Sequence, residues 1–95
     1  MTKRKSKTTK VAYRKLGRER AWGQAFIGEG YIEVDPRLGA RRKLEVLCHE
    51  QAHLCLPEAS EASIDALGKA MSKMLWSQNY RQVVLEKNDK PPRIS

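Results

Sequence analysis

The chain has 95 residues, a formal net charge of +8 and a hydrophobic content of 40%, which is enough for one small domain with a modest core. No run approaches the ~18 apolar residues of a membrane span, and no apolar segment follows the lysine-rich N-terminus, so we expect neither a membrane partner nor an export signal. The expected location is therefore the cytoplasm. With only Cys48 and Cys55, the chain has too few cysteines for a disulfide framework or a Cys-x-x-Cys metal site.

Basic and small polar side chains dominate the N-terminus, which predicts a disordered arm over residues 1–10. The positive charge of this arm favours contact with a nucleic acid or an acidic partner, and a purely solubilising role is the alternative. No aromatic residue interrupts the arm, so the stacking part of a single-strand binding pattern is missing. Residues 87–95 predict a flexible C-terminal tail, which leaves residues 11–86 as a single domain.

Three short segments have the alternation that is typical of β-strands, namely residues 11–16, 22–27 and 31–34. Gly28-Glu29-Gly30 separates the second segment from the third and predicts a hairpin, and residues 17–20 predict the turn after the first. The apolar face of the sheet is expected to consist of Trp22, Phe26, Ile32 and Val34. Residues 82–85 are a candidate for a fourth short strand.

A first helix is predicted to begin between Pro36 and Ala40 and to end before Pro57. The side expected to pack on the sheet holds Ala40, Leu44, Leu47, Cys48, Leu54 and Cys55. The opposite side holds Val46, His49, Glu50 and His53.

A second helix is predicted over residues 61–78, with Ser60 as its N-cap and Asn79 as its stop. Its apolar stripe contains Gly68, where glycine is costly unless another backbone passes close by. Together the elements predict an α+β fold in which a small antiparallel sheet of three to four strands packs on two helices.

On a helical wheel, the charged residues of the second helix fall on two sides. Glu61 and Asp65 turn toward the first helix, whereas Lys69 and Lys73 turn away from it.

The sequence His49-Glu50-Gln51-Ala52-His53 contains the only two histidines of the chain. Residues four apart lie one above the other on a helix, so both imidazoles can bind one cation. Glu50 lies about 100° round the helix from His49, close enough to contact a water on the metal without binding the metal itself. The pattern predicts one zinc ion per chain, with Glu50 as the general base that removes a proton from the activated water.

A catalytic zinc usually has three protein ligands and one water, so the two histidines leave one ligand to be found. Glu61 is the preferred candidate, because a short turn brings the second helix back beside the first and its N-terminal end favours a carboxylate. Glu58 is the rival, in a turn with less fixed geometry. Asp35, Glu45 and Asp65 are further alternatives.

The two histidines with Glu50, followed by Glu61-Ala62-Ser63-Ile64-Asp65, resemble the zincin metallopeptidases of the gluzincin type, whose second motif is Glu-x-x-x-Asp on a following helix. The pattern over residues 32–81 is similar to small zincin-like proteins encoded by phages and prophages, and it covers more than half of the chain. The resemblance implies a minimal zincin core, a peptide or protein substrate that pairs with the sheet edge, and the cytoplasm of a host cell as the location.

By the same resemblance, His49, His53 and Glu61 are the zinc ligands and Glu50 is the catalytic base. Asp65 matches an aspartate that usually orients a ligating histidine.

The resemblance is incomplete in two respects. The lobe that forms the substrate cleft of the large gluzincins is missing, and no further histidine is present to stabilise the oxyanion, for which Tyr80 and Arg81 are the candidates. The missing lobe and the basic arm favour a competing function, a non-catalytic zinc-stabilised interaction or nucleic-acid-binding module. The exposed edges of so small a sheet are also compatible with pairing to a second copy.

Overall fold

The computed structural model describes residues 8–16 and 22–83. It contains three strands and two helices, in the order β1 (Lys10–Tyr13), β2 (Gly23–Phe26), β3 (Tyr31–Val34), α1 (Ala40–Cys55) and α2 (Glu61–Ser77). The predicted α+β class, a small sheet packed with two helices, is confirmed.

The sheet is mixed, and the prediction of an antiparallel sheet was wrong for β1. The strand order is β1-β3-β2, in which β2 and β3 form the antiparallel hairpin and β1 runs parallel to β3. The chain leaves β1, crosses to the far edge for β2 and returns through the hairpin into the middle. The third strand therefore runs in the same direction as the first and pairs on both of its sides.

The hairpin link depends on two glycines. Gly28 has a φ of 92° and Gly30 a φ of 62°, a region of backbone conformation that is cheap only without a Cβ. Glu29 N–H donates to the Phe26 carbonyl at 3.0 Å, which closes the turn. The predicted Gly-x-Gly hairpin is thus confirmed.

The core lies between the sheet and α1. Ile32, Val34 and Val46 form its buried centre, with exposures of 1%, 0% and 7%. Val46 packs on the strands and also lines the cleft beside His49 and Glu50, so it belongs to both sides of the predicted wheel. The physical reason is that α1 lies between the sheet and α2, so it is buried on two sides and its histidines sit at the border between them.

Two aromatic residues expected in the core lie elsewhere. Phe26 opposes Tyr31 across the hairpin, with ring centroids 5.1 Å apart. Because side chains alternate along a strand, this pair lies on the sheet face opposite to that of Ile32. Trp22 is 49% exposed and carries the Arg42 guanidinium over its ring at 4.3 Å.

The second helix begins and ends where local signals place it. Ser60 Oγ accepts from the Ser63 backbone N–H at 3.1 Å, which makes Ser60 the N-cap. Asn79 has a positive φ of 70° and follows the last turn, as expected of a helix stop.

The predicted terminal segments fall largely outside the described residues. Lys10, assigned to the basic arm, is the first residue of β1, and residues 1–7 of the arm lie outside, as does the tail over 87–95. In the predicted fourth strand, residues 82 and 83 form no strand and residues 84 and 85 lie outside. The turn predicted over residues 17–20 also lies outside. Neither described helix combines the length and the apolar character that crossing a bilayer requires.

Candidate metal centre

Both histidines lie on the side of α1 that faces the start of α2. His49 and His53 are four residues apart, and their ring centroids are separated by 4.9 Å. Their side chains are 20% and 23% exposed, so each ring is held by packing while one edge reaches solvent. Helical spacing thus gives two neighbouring nitrogen donors, as predicted.

Glu61 approaches both histidines with both of its oxygens. Its Oε2 lies 3.0 Å from Nε2 of His49, and its Oε1 lies 3.0 Å from Nε2 of His53. One donor atom from each of the three residues lies within 4.8 Å of the others. Ligands about 2.0–2.1 Å from a tetrahedral ion are roughly 3.3 Å apart, so the three side chains can hold one metal ion with small adjustments.

Asp65 lies one turn after Glu61 and faces the other nitrogen of His49. The distance from Nδ1 of His49 to Oδ1 of Asp65 is 3.7 Å, and the second oxygen of Asp65 forms an ion pair with Nζ of Lys69 at 3.0 Å. A carboxylate on the far nitrogen fixes the orientation and tautomer of an imidazole. At 3.7 Å the carboxylate is beyond hydrogen-bond distance of that nitrogen, so the orienting role of Asp65 stays a prediction.

Glu50 lines a cleft of about 320 Å³ beside the histidines, together with His49, Asp65 and Trp22. Burial raises the pKa of its carboxyl, and the nearby histidines counteract part of that effect. Glu50 is not part of the three-residue cluster. Glu50 therefore lies in the cleft beside His49 and outside the cluster, and its role as a base stays a prediction.

Gly68 permits the close approach of the two helices at this place. A Cβ there would lie 3.0 Å from Cα and 3.1 Å from the backbone nitrogen of His49. The predicted reason for a glycine within the apolar stripe, the passage of another backbone, is confirmed. The close contact is what brings the first turn of α2 within reach of the imidazoles.

The remaining ligand candidates are not brought to the cluster. Glu58 is exposed in the turn between the helices, and the cluster that the described residues form contains Glu61 instead. Asp35 is engaged with Arg37, and Glu45 with Arg42.

Tyr80 and Arg81 lie beyond the opposite end of α2. Arg81 stacks on the Trp76 ring at 3.6 Å and donates to the Trp76 carbonyl, and Tyr80 is 64% exposed. Glu61 stands in the first turn of the same helix, about 25 Å away along the axis. The structure does not place either residue where an oxyanion would form at the cluster.

The sequence pattern did not indicate one residue of the cleft. Lys69, expected to point away from α1, pairs with Asp65 and lines the same cleft as His49 and Glu50. The available signal was the spacing of Asp65 and Lys69, since an acid and a base four residues apart on a helix pair with each other.

The donor set, two imidazole nitrogens and one carboxylate oxygen, is typical of zinc, and the cluster can hold a metal ion. Comparison of the chain with protein-family models, with curated proteins and with solved structures finds no match.

Proposed function

We propose that the protein is a zinc-dependent peptidase of the zincin type, with His49, His53 and Glu61 as the metal ligands. The observation that carries the proposal is the convergence of their three donor atoms within 4.8 Å, next to a cleft lined by a fourth, acidic group. The HExxH spacing and the first turn of α2 together supply the donor set of catalytic zinc sites, in which three protein ligands leave a position open.

The exposure of Glu61 supports an open coordination position. Its side chain is 70% exposed, so the metal side facing away from α1 is accessible to a substrate. When bound there, zinc would supply Lewis acidity and would lower the pKa of a coordinated water.

Glu50 is the group that accepts and then donates the proton. Its carboxylate takes a proton from the attacking water, whose oxygen adds to the peptide carbonyl carbon. It then donates that proton to the leaving amine as the C–N bond breaks. Partial burial in the cleft, beside Gly23 and Val46, holds the carboxylate in place for both transfers.

The test is Glu50→Gln, which keeps the size of the side chain and removes the base. Hydrolysis of a peptide library by the zinc-loaded protein should fall by about a hundredfold to ten-thousandfold, with one zinc per chain retained in elemental analysis. Glu58→Gln, in the exposed turn, is the matched control and should keep full activity. Equal turnover in Glu50→Gln and the unaltered protein would exclude Glu50 as the base.

A second candidate function is a zinc-stabilised interaction or nucleic-acid module without catalysis. It is favoured by the small size of the buried centre, three residues between the sheet and α1, since a bound metal stabilises a domain of this size. Under this alternative, zinc raises the unfolding temperature but no peptide is cleaved. Nucleic-acid binding that is salt-sensitive and disappears on deletion of residues 1–7 would favour it.

A further inference from the structure

Beyond the metal cluster, a continuous furrow follows the junction of α1 and α2. The cleft beside His49 shares Glu45 and Lys69 with a second depression of about 380 Å³, which is also lined by Arg41, Ser72 and Lys73. The furrow therefore leads from the candidate metal site toward the N-terminal end of α1.

The far part of the furrow is strongly basic. Arg41 on α1 and Lys73 on α2 both line it, and within the described residues neither makes an ion pair. Among the described residues, Glu45 is its one acidic lining residue, and it is 3.3 Å from the Arg42 guanidinium. Two unpaired positive charges thus line one depression.

The position of Arg41 is not explained by helix stability. Arg41, Arg42 and Lys43 occupy the first turn of α1, which contains no acidic residue. Cations are unfavourable there, because the helix dipole already places positive charge at that end. A cost to folding at an exposed surface is typical of residues that serve binding.

We propose that this basic furrow binds an acidic segment of the substrate polypeptide and so directs cleavage to acidic peptides. The inference rests on the proposed peptidase function for its role in catalysis. Arg41 lies eight residues before His49 on α1, and Lys73 eight residues after Asp65 on α2, which is about 12 Å along each axis. An extended peptide covers about 12 Å in three to four residues, so the acidic side chains should lie two to four positions from the scissile bond.

The arrangement of the metal cluster fits this orientation. Lys69 already neutralises Asp65 at the boundary between the cleft and the basic part, so a substrate carboxylate is attracted further along, to Arg41 and Lys73. Arg41 also lies 5.7 Å from the centre of the Trp76 ring, a contact that limits its freedom and reduces the entropy lost when it binds a carboxylate.

The binding experiment uses the zinc-loaded Glu50→Gln protein, so that it does not depend on turnover. A labelled peptide with Asp and Glu two to four positions from its centre is compared with a twin that carries Asn and Gln there. The acidic peptide should bind about three- to tenfold more tightly, as two exposed charge pairs allow, and the difference should shrink at high salt.

The decisive variant is Arg41→Gln with Lys73→Gln, which should abolish the preference for the acidic peptide. Lys10→Gln with Lys15→Gln removes the same charge from exposed positions outside the furrow and should keep the preference. Equal affinity for the two peptides, or the same loss in both double variants, overturns the inference. A single-stranded oligonucleotide that binds more tightly than the acidic peptide, and does so through Arg41 and Lys73, also overturns it in favour of a nucleic-acid surface.

The outcome is separable from that of the peptidase proposal. If wild-type protein cleaves the acidic and the neutral peptide at equal kcat/KM, the peptidase stands and the acidic preference fails. If neither peptide is cleaved but the acidic one binds through the furrow, the peptidase proposal fails and the binding surface stands.

Discussion

Two regions of the molecule bring a carboxylate to about 3 Å from nitrogen atoms, and they do so in opposite ways. At the end of β3, Asp35 is 4% exposed and accepts from the Arg37 guanidinium and from the backbone of Leu16. At the start of α2, Glu61 is 70% exposed and faces the imidazole nitrogens of two histidines.

The two regions differ in the group that supplies the positive charge. In the Asp35 region, an arginine and backbone N–H groups satisfy the carboxylate, so the region is complete within the chain. Glu33 repeats this arrangement two residues earlier, on β3, where Arg14 holds the pKa of its carboxyl low through paired hydrogen bonds. In the metal cluster, three electron-pair donors point at one place, so a cation shared among them satisfies all three.

The Asp35 region should therefore stabilise the fold at any metal concentration, and the cluster only when an ion is present. Three substitutions test this, and they are ordered by the size of the expected effect.

Asp35→Ala should give the largest loss of stability, and the loss should be the same with and without zinc. The backbone N–H of Leu16 and the Arg37 guanidinium lose their acceptor in a place that water scarcely reaches. The free energy of unfolding in urea, measured with zinc and with a chelator, is the readout. Glu29→Ala, at an exposed position in the hairpin turn, is the control and should cost much less; a comparable loss in both variants would contradict the contrast.

Acid should reduce the effect of Asp35→Ala. The Arg37 guanidinium holds the pKa of the Asp35 carboxyl well below its usual range. Because the folded pKa is lower than the unfolded value of about 3.9, the stabilisation is complete above that value and is lost as the pH falls further. The free energies of unfolding of the unaltered protein and of the variant should therefore approach each other gradually as the pH falls below about 4. A difference between them that stays constant down to pH 2 would argue against this carboxylate as its source.

Glu61→Ala should remove the stabilisation by zinc and leave the metal-free protein nearly unchanged. A ligand at a thousandfold excess over its Kd stabilises by about 4 kcal/mol, whereas the exposed Glu61 side chain contributes little packing of its own. Thermal unfolding with and without zinc, together with zinc content, measures both parts. Glu58→Ala should keep the full zinc effect, and an unchanged zinc effect in Glu61→Ala would assign the third ligand elsewhere.

Gly68→Ala should give the smallest change in stability but a specific loss of zinc affinity. The added methyl group meets the His49 backbone at about 3 Å. Such overpacking costs about 1–3 kcal/mol, which the higher helix propensity of alanine offsets by about 1 kcal/mol. The helices should move apart at His49, so that zinc titration weakens while the acid response of Asp35 is unchanged.

Gly39→Ala is the matched control for that experiment, because a Cβ at Gly39 meets nothing within 4 Å. It should leave zinc binding as it is. Equal zinc affinity in Gly68→Ala and Gly39→Ala would show that the close approach of the helices is not needed for the site.

Much of the helical part could be predicted from the sequence because its signals are local. Ser60 caps α2 and Asn79 follows its last turn through their own side chain and backbone conformation. The placement of Glu61 also follows from short-range rules, since a short turn returns α2 beside α1 and puts its first residue near the second histidine of a four-residue spacing. The structure brings Glu61, and not Glu58, to the histidines for this reason.

By itself, then, the sequence determined the helices, the hairpin and the donor types, because capping, glycine conformation and helical periodicity act within a few residues. Only the tertiary structure decided the direction of β1, the burial of Val46, and the partners of Glu33 and Asp35. Arg14 and Leu16 reach those carboxylates across nineteen residues of chain. Pairings at such separation depend on which strand edge is free and which side of α1 is covered, and no local pattern carries that information.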